Sequence, residues 1–354
     1  MSLIMPDIQT TDVTTFLALG KMHPILDARS EGEYNQGHIT GAISFPILNN
    51  EERALVGTCY KQKGHDAAVL LGYELAGPKF KSFIEQAFTQ FPDKKVLLHC
   101  FRGGLRSKIM AWVLHTAGFD ITLLHGGYKA YRNDVAAQFL KPYQFLVLGG
   151  YTGSEKTPIL HLLASAGETI IDIEAMANHR GSAYGAIGLP EQPTNEQFEN
   201  NLAMALAAAG TEKMIWIEDE SRKTGTVVLP EQIYEAKMNA PLFIIDKTKQ
   251  ERMKSIIELY GSFDKVQLIN ATQKIEKKIG NLRMRQAIEA ISAGDYPTWL
   301  NIVLDYYDQT YSFGIARRLK EKIIRIKAAS NEMYVQHLLE AKNTLLKQKR
   351  LPNS

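Results

Sequence analysis

A chain of 354 residues, 45% of them hydrophobic, can bury a substantial core and should hold two or three domains at about 100 to 200 residues each. Two cysteines, Cys59 and Cys100, argue against a disulfide framework and fit a reducing compartment, with the cytoplasm as the expected location. The net charge of +3 conceals a division: Lys247 to Ser354 carries 20 Lys/Arg against 11 Asp/Glu, and the preceding part 21 against 27.

A basic tail on an acidic body suits a polyanionic partner, nucleic acid first, because neutralising phosphates gives affinity independent of sequence. Met1 to Thr15 has no basic, apolar leader pattern, and no run of about eighteen apolar residues occurs, so neither secretion nor membrane spanning is expected.

From Pro24 to about Arg132, short β-type runs (Pro24 to Asp27, Lys95 to Cys100, Ile121 to Leu124) alternate with helical stretches such as Ser107 to Ala117. This predicts a small α/β domain over residues 1–135. A fresh apolar run, Phe145 to Leu148, enters a Gly-rich loop; a helix over Pro158 to Ala166 and a strand over Thr169 to Asp172 then complete a βαβ-like unit. Helix Asn195 to Ala209, strand Met214 to Glu218, helix Pro230 to Asn239 and strand Leu242 to Asp246 extend a parallel-sheet domain over 140–247. After Asp246 the spacing is helical, broken at Gly261, Gly280 and Gly294, with no further strand expected. Residues 248–354 therefore read as a basic helical region.

Two loops carry chemistry. Cys100 ends the Lys95 run and is followed by Phe101, Arg102, Gly103, Gly104, Leu105, Arg106 and Ser107, then by a helix. A thiolate there should face loop amides, and the helix N-terminus and Arg106 should both favour its charged form. Cys59 has no such loop and reads as packing. The second loop, Gly150-Tyr151-Thr152-Gly153-Ser154-Glu155-Lys156-Thr157, has the phosphate-wrapping form of glycine, four residues, a loop position, Lys and Thr. Glu155 stands where that form has glycine. Its carboxylate near a diphosphate is expected to cost on the order of 1 kcal/mol if solvated, so Glu155→Gly should tighten diphosphate binding.

Asp172 and Glu174, then His179 and Arg180, then Glu220, Ser221 and Arg222 follow strands near this loop in sequence. Carboxylates there can hold magnesium or orient water, and His179 with Arg180 can pair substrate phosphates. The identity of any metal is open.

Leu26-Asp27-Ala28-Arg29, Glu33 to Ala42 and the Cys100 loop, in that order, resemble the signatures of a rhodanese domain, whose cysteine carries a transferable sulfur as a persulfide. His99-Cys100, five residues and Arg106 also fit the longer loop of cysteine-dependent phosphatases, and spacing alone does not separate the two. A rhodanese-like domain followed by a phosphate-loop domain with Ala177-Asn178-His179-Arg180-Gly181-Ser182 resembles the bacterial tRNA 2-selenouridine synthases. His125 to Ala130, Glu218 to Arg222 and Tyr306 to Tyr311 fit that family too.

The resemblance implies conversion of 2-thiouridine to 2-selenouridine at the tRNA wobble position through an S-geranyl intermediate, with geranyl diphosphate and selenophosphate as donors. It implies that Cys100 accepts selenium in the cradle of residues 101–107, and that Lys156 and its loop hold the diphosphate, with Mg²⁺ as a helper. The basic tail would bind the anticodon stem-loop. No tightly bound cofactor is expected, and a selenophosphate-producing enzyme is a candidate partner. Two rivals remain at this level: a Cys-dependent phosphatase, and a tRNA-binding protein with a rhodanese module and an impaired phosphate loop.

Overall fold

The computed structural model describes residues 8–350, with side chains through 347. The chain packs as two units: one runs to Gln138 and takes in Glu199–Met204, and the other comprises Phe139–Phe198 and the residues from Ala205 onward. Among the described residues, no helix is long and apolar enough to cross a membrane.

The first unit is built on a parallel five-stranded sheet of β1 (Gln9–Thr11), β2 (Ile25–Asp27), β3 (Ile43–Ser44), β4 (Lys95–His99) and β5 (Asp120–Leu124). The spatial order is β1-β5-β4-β2-β3. The central strand β4 is buried from Val96 to His99, as expected of a strand covered on both faces. Its end delivers Cys100, whose side chain belongs to the buried core of this unit, and the chain then turns into the Leu105–Thr116 helix.

The second unit has its own parallel five-stranded sheet, β6 (Gln144–Gly149), β7 (Thr169–Ile171), β8 (Met214–Glu218), β11 (Leu242–Ile245) and β12 (Ile323–Ile326), in the order β12-β11-β6-β8-β7. The hairpin of β9 (Lys223–Thr224) and β10 (Val227–Val228) lies outside it. Phe145 to Leu148 and Leu242 to Ile245 are near-continuous apolar runs at most 4% exposed, the pattern of strands with two covered faces. Both β6 and β8 end at the phosphate loop and its carboxylates, the carboxyl ends where ligands bind open α/β sheets.

The expectation that the sheet ends at Asp246 is corrected by β12. Ile323, Ile324 and Ile326 form a short apolar run between lysines, and they pair in parallel with β11 across about eighty residues of helix. The basic C-terminal stretch is accordingly folded into the second unit. Ile326, Tyr334, Val335 and Leu338 share a core with Leu146, Leu148, Ile159, Leu160 and Leu163 beneath the phosphate loop. A second core, of Leu268, Ile291, Trp299, Leu300, Val303 and Leu304 among others, joins the helices that lie between β11 and β12.

Candidate functional site

In the first unit the Cys100 loop is shaped by three glycines with positive φ, Gly103, Gly126 and Gly127. A Cβ on Gly127 would lie 2.3 Å from the Cys100 carbonyl oxygen and 2.4 Å from the Gly103 nitrogen, so only glycine fits both the space and the backbone there. The Tyr128 and Lys129 amides donate to the Cys100 and Phe101 carbonyls at 2.8 and 2.9 Å. This explains the His125-Gly126-Gly127-Tyr128 motif: it is the bed on which the cysteine loop lies. Asp27 and Arg29 form a buried ion pair at 2.6 Å, with the guanidinium 3.7 Å from the centre of the Tyr128 ring.

Cys100 Sγ lies 3.2 Å from Ser107 Oγ, and the side chain is 2% exposed. Ser107 Oγ donates to the Gly104 carbonyl at 3.1 Å. The helix begins at Leu105, so its first-turn amides have no acceptor within the helix. Phe101, Arg102, Gly104 and Leu105 form the exposed rim of the loop.

The Arg106 guanidinium is held by Glu33 through bonds of 2.6 and 3.3 Å, close enough to Cys100 for the two charges to interact. Burial opposes ionisation of Glu33, but Arg106 outweighs it and holds the carboxyl below its usual range. Arg102 is the freer cation, with its guanidinium 5.7 Å from the Phe101 ring centre.

In the second unit the phosphate loop joins β6 to the Lys156–Ser165 helix. A Cβ on Gly150 would meet Ser154 Oγ at 2.3 Å, and one on Gly153 would meet the Arg252 carbonyl at 2.7 Å. Glu155 has φ 61 and ψ 38, a left-handed conformation that explains why glycine usually stands here. Its carboxylate accepts from Lys247, which also donates to Asn331 at 3.0 Å. Burial opposes its ionisation, yet Lys247 holds its pKa below the usual value. The expected repulsion of a diphosphate by Glu155 is therefore offset by a lysine from the end of β11.

Lys156 Nζ lies 3.4 Å from the Gly150 carbonyl and 3.8 Å from Glu220 Oε1. Thr157 Oγ1 lies 2.6 Å from Glu218 Oε1 and 3.1 Å from Glu174 Oε2. Burial and the charge of Glu220 push Glu174 up to about 7, and burial with Glu174 pushes Glu218 well above the carboxylate range. Glu218 Oε2 is buried without a hydrogen-bond partner. Among the described residues no three His, Cys, Asp or Glu side chains form a metal site by themselves.

Asp172 caps the Ile173–Ala177 helix and pairs with His161 at 2.8 Å. Arg180 lines the site and donates to the Ile187 carbonyl at 2.8 Å. His179 and Arg222 are not among the residues that line the site. His179 accepts from the Gly181 amide at 3.1 Å, shaping the turn, and burial lowers its pKa. Arg222 is exposed and pairs with Glu231 at 3.0 Å. Ser221 lines the site, although its hydroxyl donates to the Lys223 carbonyl at 2.5 Å. Tyr151 is turned toward the helix above, with its hydroxyl 3.1 Å from Ser312 Oγ.

That helix, Tyr296–Ile315, brings to the loop the groups of the Tyr306 to Tyr311 segment. Tyr311 accepts from the Gly150 amide at 2.7 Å and donates to Asp219 at 3.2 Å. Asp308 pairs with Arg252, which also donates to the Thr152 carbonyl at 3.0 Å. Asp219 is further held by Arg318 at 2.6 Å, beside the buried Lys237. Glu218, Asp219, Asp308 and Tyr311 all stand in segments that resemble the family; what spacing does not convey is that Tyr311 bonds to the first glycine of the loop.

The loop and this helix border one cavity of about 1140 Å³, lying wholly within the second unit. Lys156, Thr157 and Asp219 mark its charged end; Trp299, Leu300 and Leu304 line its apolar part.

A parallel-sheet unit with a glycine-bedded cysteine loop, followed by a phosphate-loop unit with an apolar cavity, defines a rhodanese-like domain coupled to a nucleotide-fold domain. The rhodanese-like domain model matches residues 11–134, and the model of the tRNA 2-selenouridine synthase AAA domain matches residues 143–344. A tRNA 2-selenouridine synthase from Nitrosomonas europaea is 39% identical over 72% of this chain and 67% of its own length. One from Nitrosomonas eutropha is 33% identical over 88% and 93%, and one from Pseudomonas syringae pv. tomato 32% over 91% and 95%. The chain belongs to the tRNA 2-selenouridine synthase family.

Proposed function

We propose that this chain converts 2-thiouridine to 2-selenouridine at the wobble position of tRNA in two steps: S-geranylation from geranyl diphosphate in the second unit, then exchange of the geranylated sulfur for selenium supplied through Cys100 from selenophosphate. The observation that carries the first step is the joining of a phosphate loop and an apolar cavity in one site. A prenyl diphosphate has the same two-part character, and a nucleotide has no need of so long an apolar lining.

In the first step the thiocarbonyl sulfur bonds to C1 of the geranyl group as the C1–oxygen bond breaks. Diphosphate leaves with the electron pair, and the ring N3 proton is released. Lys156 and the loop amides face the charge that develops on the departing diphosphate. Thr157, Glu174 and Glu218 are an all-oxygen set that would hold magnesium once phosphate and water complete its shell, and the orphaned Glu218 Oε2 leaves a position for such a cation. A bound magnesium ion would add further neutralisation of the diphosphate.

S-alkylation turns a poorly departing thiocarbonyl sulfur into a better leaving group and makes the ring carbon more electrophilic. For the second step, the Cys100 sulfur, beside the Ser107 hydroxyl at the start of the Leu105–Thr116 helix, bonds to the phosphorus of selenophosphate as the P–Se bond breaks and hydrogen selenide leaves; the selenide adds at the ring carbon as the C–S bond breaks, one proton returns to N3 and the other leaves with the geranylthiol, and water releases phosphate from Cys100. A phosphatase reading would require a carboxylic acid free to protonate a leaving group at this loop. Glu33 and Asp27 are both committed to arginines, which favours chalcogen transfer instead.

The basic helices and β12 region supply the polyanion-binding charge that a tRNA substrate calls for. The test is nucleoside mass spectrometry of thiolated tRNA incubated with the protein and each donor in turn. Geranyl diphosphate alone should give the S-geranyl nucleoside, and added selenophosphate should convert it to 2-selenouridine. Failure to form the geranyl nucleoside would refute the reading.

A further inference from the structure

The cavity follows one face of the Tyr296–Ile315 helix, which acts as a ruler. Leu300, Leu304, Tyr307 and Tyr311 recur at spacings of four, three and four, and all line the same space. Tyr311 fixes the phosphate end through its bond to the Gly150 amide. Trp299 lies twelve residues earlier, about 18 Å along the axis at 1.5 Å per residue.

This end is rigid. The Trp299 indole donates to the Tyr184 hydroxyl at 3.2 Å, and that hydroxyl lies 2.8 Å from Thr272 Oγ1. The two rings meet edge to face at 5.4 Å, and the side chains are 1% and 4% exposed. Such a hydrogen-bonded aromatic pair yields less readily than a lone aliphatic side chain.

Extended chains advance about 1.2 Å per bond, so a diphosphate spans about 5 Å and each isoprene unit about 5 Å more. A geranyl diphosphate therefore needs about 15 Å and a farnesyl diphosphate about 20 Å, on either side of the roughly 18 Å that separates Tyr311 from Trp299 along the helix axis. We propose that the Trp299–Tyr184 pair is the end stop of the donor cavity and limits the transferred prenyl group to two isoprene units. This inference rests on the proposed geranyl transfer and specifies which residues measure the donor.

The test is a competition in which thiolated tRNA and one protein variant receive equal concentrations of geranyl and farnesyl diphosphate, and the two alkylated nucleosides are weighed against each other by mass spectrometry. Their ratio is independent of the fraction of protein that is folded. The native protein should favour geranyl transfer. Trp299→Ala should raise the farnesyl-to-geranyl ratio about ten-fold or more, whereas Trp299→Phe, which keeps most of the bulk, should shift it far less.

Two further variants decide the matter if Trp299→Ala yields no product. Leu300→Ala should shift the ratio the same way. Leu304→Trp, about 10 Å from Tyr311, should shorten the space and favour dimethylallyl over geranyl diphosphate. Unchanged ratios in the active variants, or a native protein that uses farnesyl as readily as geranyl diphosphate, would overturn the end stop. A native protein that makes no geranylated nucleoside would refute the parent reading instead.

Discussion

Tyr311 accepts the amide hydrogen of Gly150, 161 residues away in the chain, and passes its own hydroxyl hydrogen to Asp219. The first glycine of the phosphate loop is thus fixed by a side chain from the helix that lines the cavity. Burial, with Asp219 close by, keeps the phenol pKa well above its usual value, so it remains a neutral donor and acceptor.

Tyr311→Phe removes the acceptor for a part-buried amide. The expected loss is about 1–2 kcal/mol in chemical denaturation, with weaker diphosphate binding by calorimetry, because the loop is no longer held in its binding shape. Unchanged affinity would mean that the loop needs no support from above.

Glu155 and Lys247 are expected to behave as a pair. Lys247→Ala leaves a carboxylate beside the diphosphate and should weaken diphosphate binding by about three- to ten-fold. Glu155→Gly relieves the left-handed strain but loses the ion pair, and its affinity should stay at or above the native value. The double variant should recover most of the loss. Equal weakening in Lys247→Ala and the double variant would place the lysine, rather than the released carboxylate, at the origin of the effect.

Glu33 restrains Arg106 at the rim of the other site. Glu33→Gln keeps the shape of the side chain but frees the guanidinium to attract an anion toward Cys100. Saturation of Cys100 by selenophosphate or thiosulfate should then occur at about three- to ten-fold lower donor concentration. If the midpoint does not move, Arg106 has no part in capturing the donor.

Protons held by the carboxylate cluster link stability to pH. Glu174, at about 7 in the folded protein against 4.5 unperturbed, binds a proton that the unfolded chain releases earlier, and Glu218 shifts in the same direction. Their contribution is full below the unfolded value near 4.5 and is lost as pH rises through about 7. Denaturation from pH 5 to 8 should show a decline of up to about 3 kcal/mol from this cluster, and Glu218→Gln should flatten it. A parallel pH profile in the variant would argue that the two glutamates do not share their titration.

Much of both sites was legible because their signals are local. Cys100 follows an apolar run and precedes a helix, and Gly150, Lys156 and Thr157 fall within eight residues of one another. The strands around them were legible for the same reason: Phe145 to Leu148 and Leu242 to Ile245 are apolar on both faces. What sequence spacing could not convey were the pairings made by folding. Arg106 meets Glu33 across 73 positions, and Glu155 meets Lys247 across 92. β12 was hidden because four residues between lysines have no periodicity of their own, and only pairing with β11 makes them a strand. The turn whose Gly181 amide engages the His179 ring is likewise visible only in the fold.

The central claim is a division of labour between two anion sites, and nucleoside mass spectrometry of single variants tests it most directly. Thiolated tRNA receives geranyl diphosphate and then selenophosphate in the presence of Cys100→Ser or Lys156→Ala protein. Cys100→Ser should accumulate the S-geranyl nucleoside, and Lys156→Ala should leave 2-thiouridine unconverted while still exchanging selenium on tRNA supplied already geranylated. Reversed phenotypes, or the same blocked step in both variants, would contradict it.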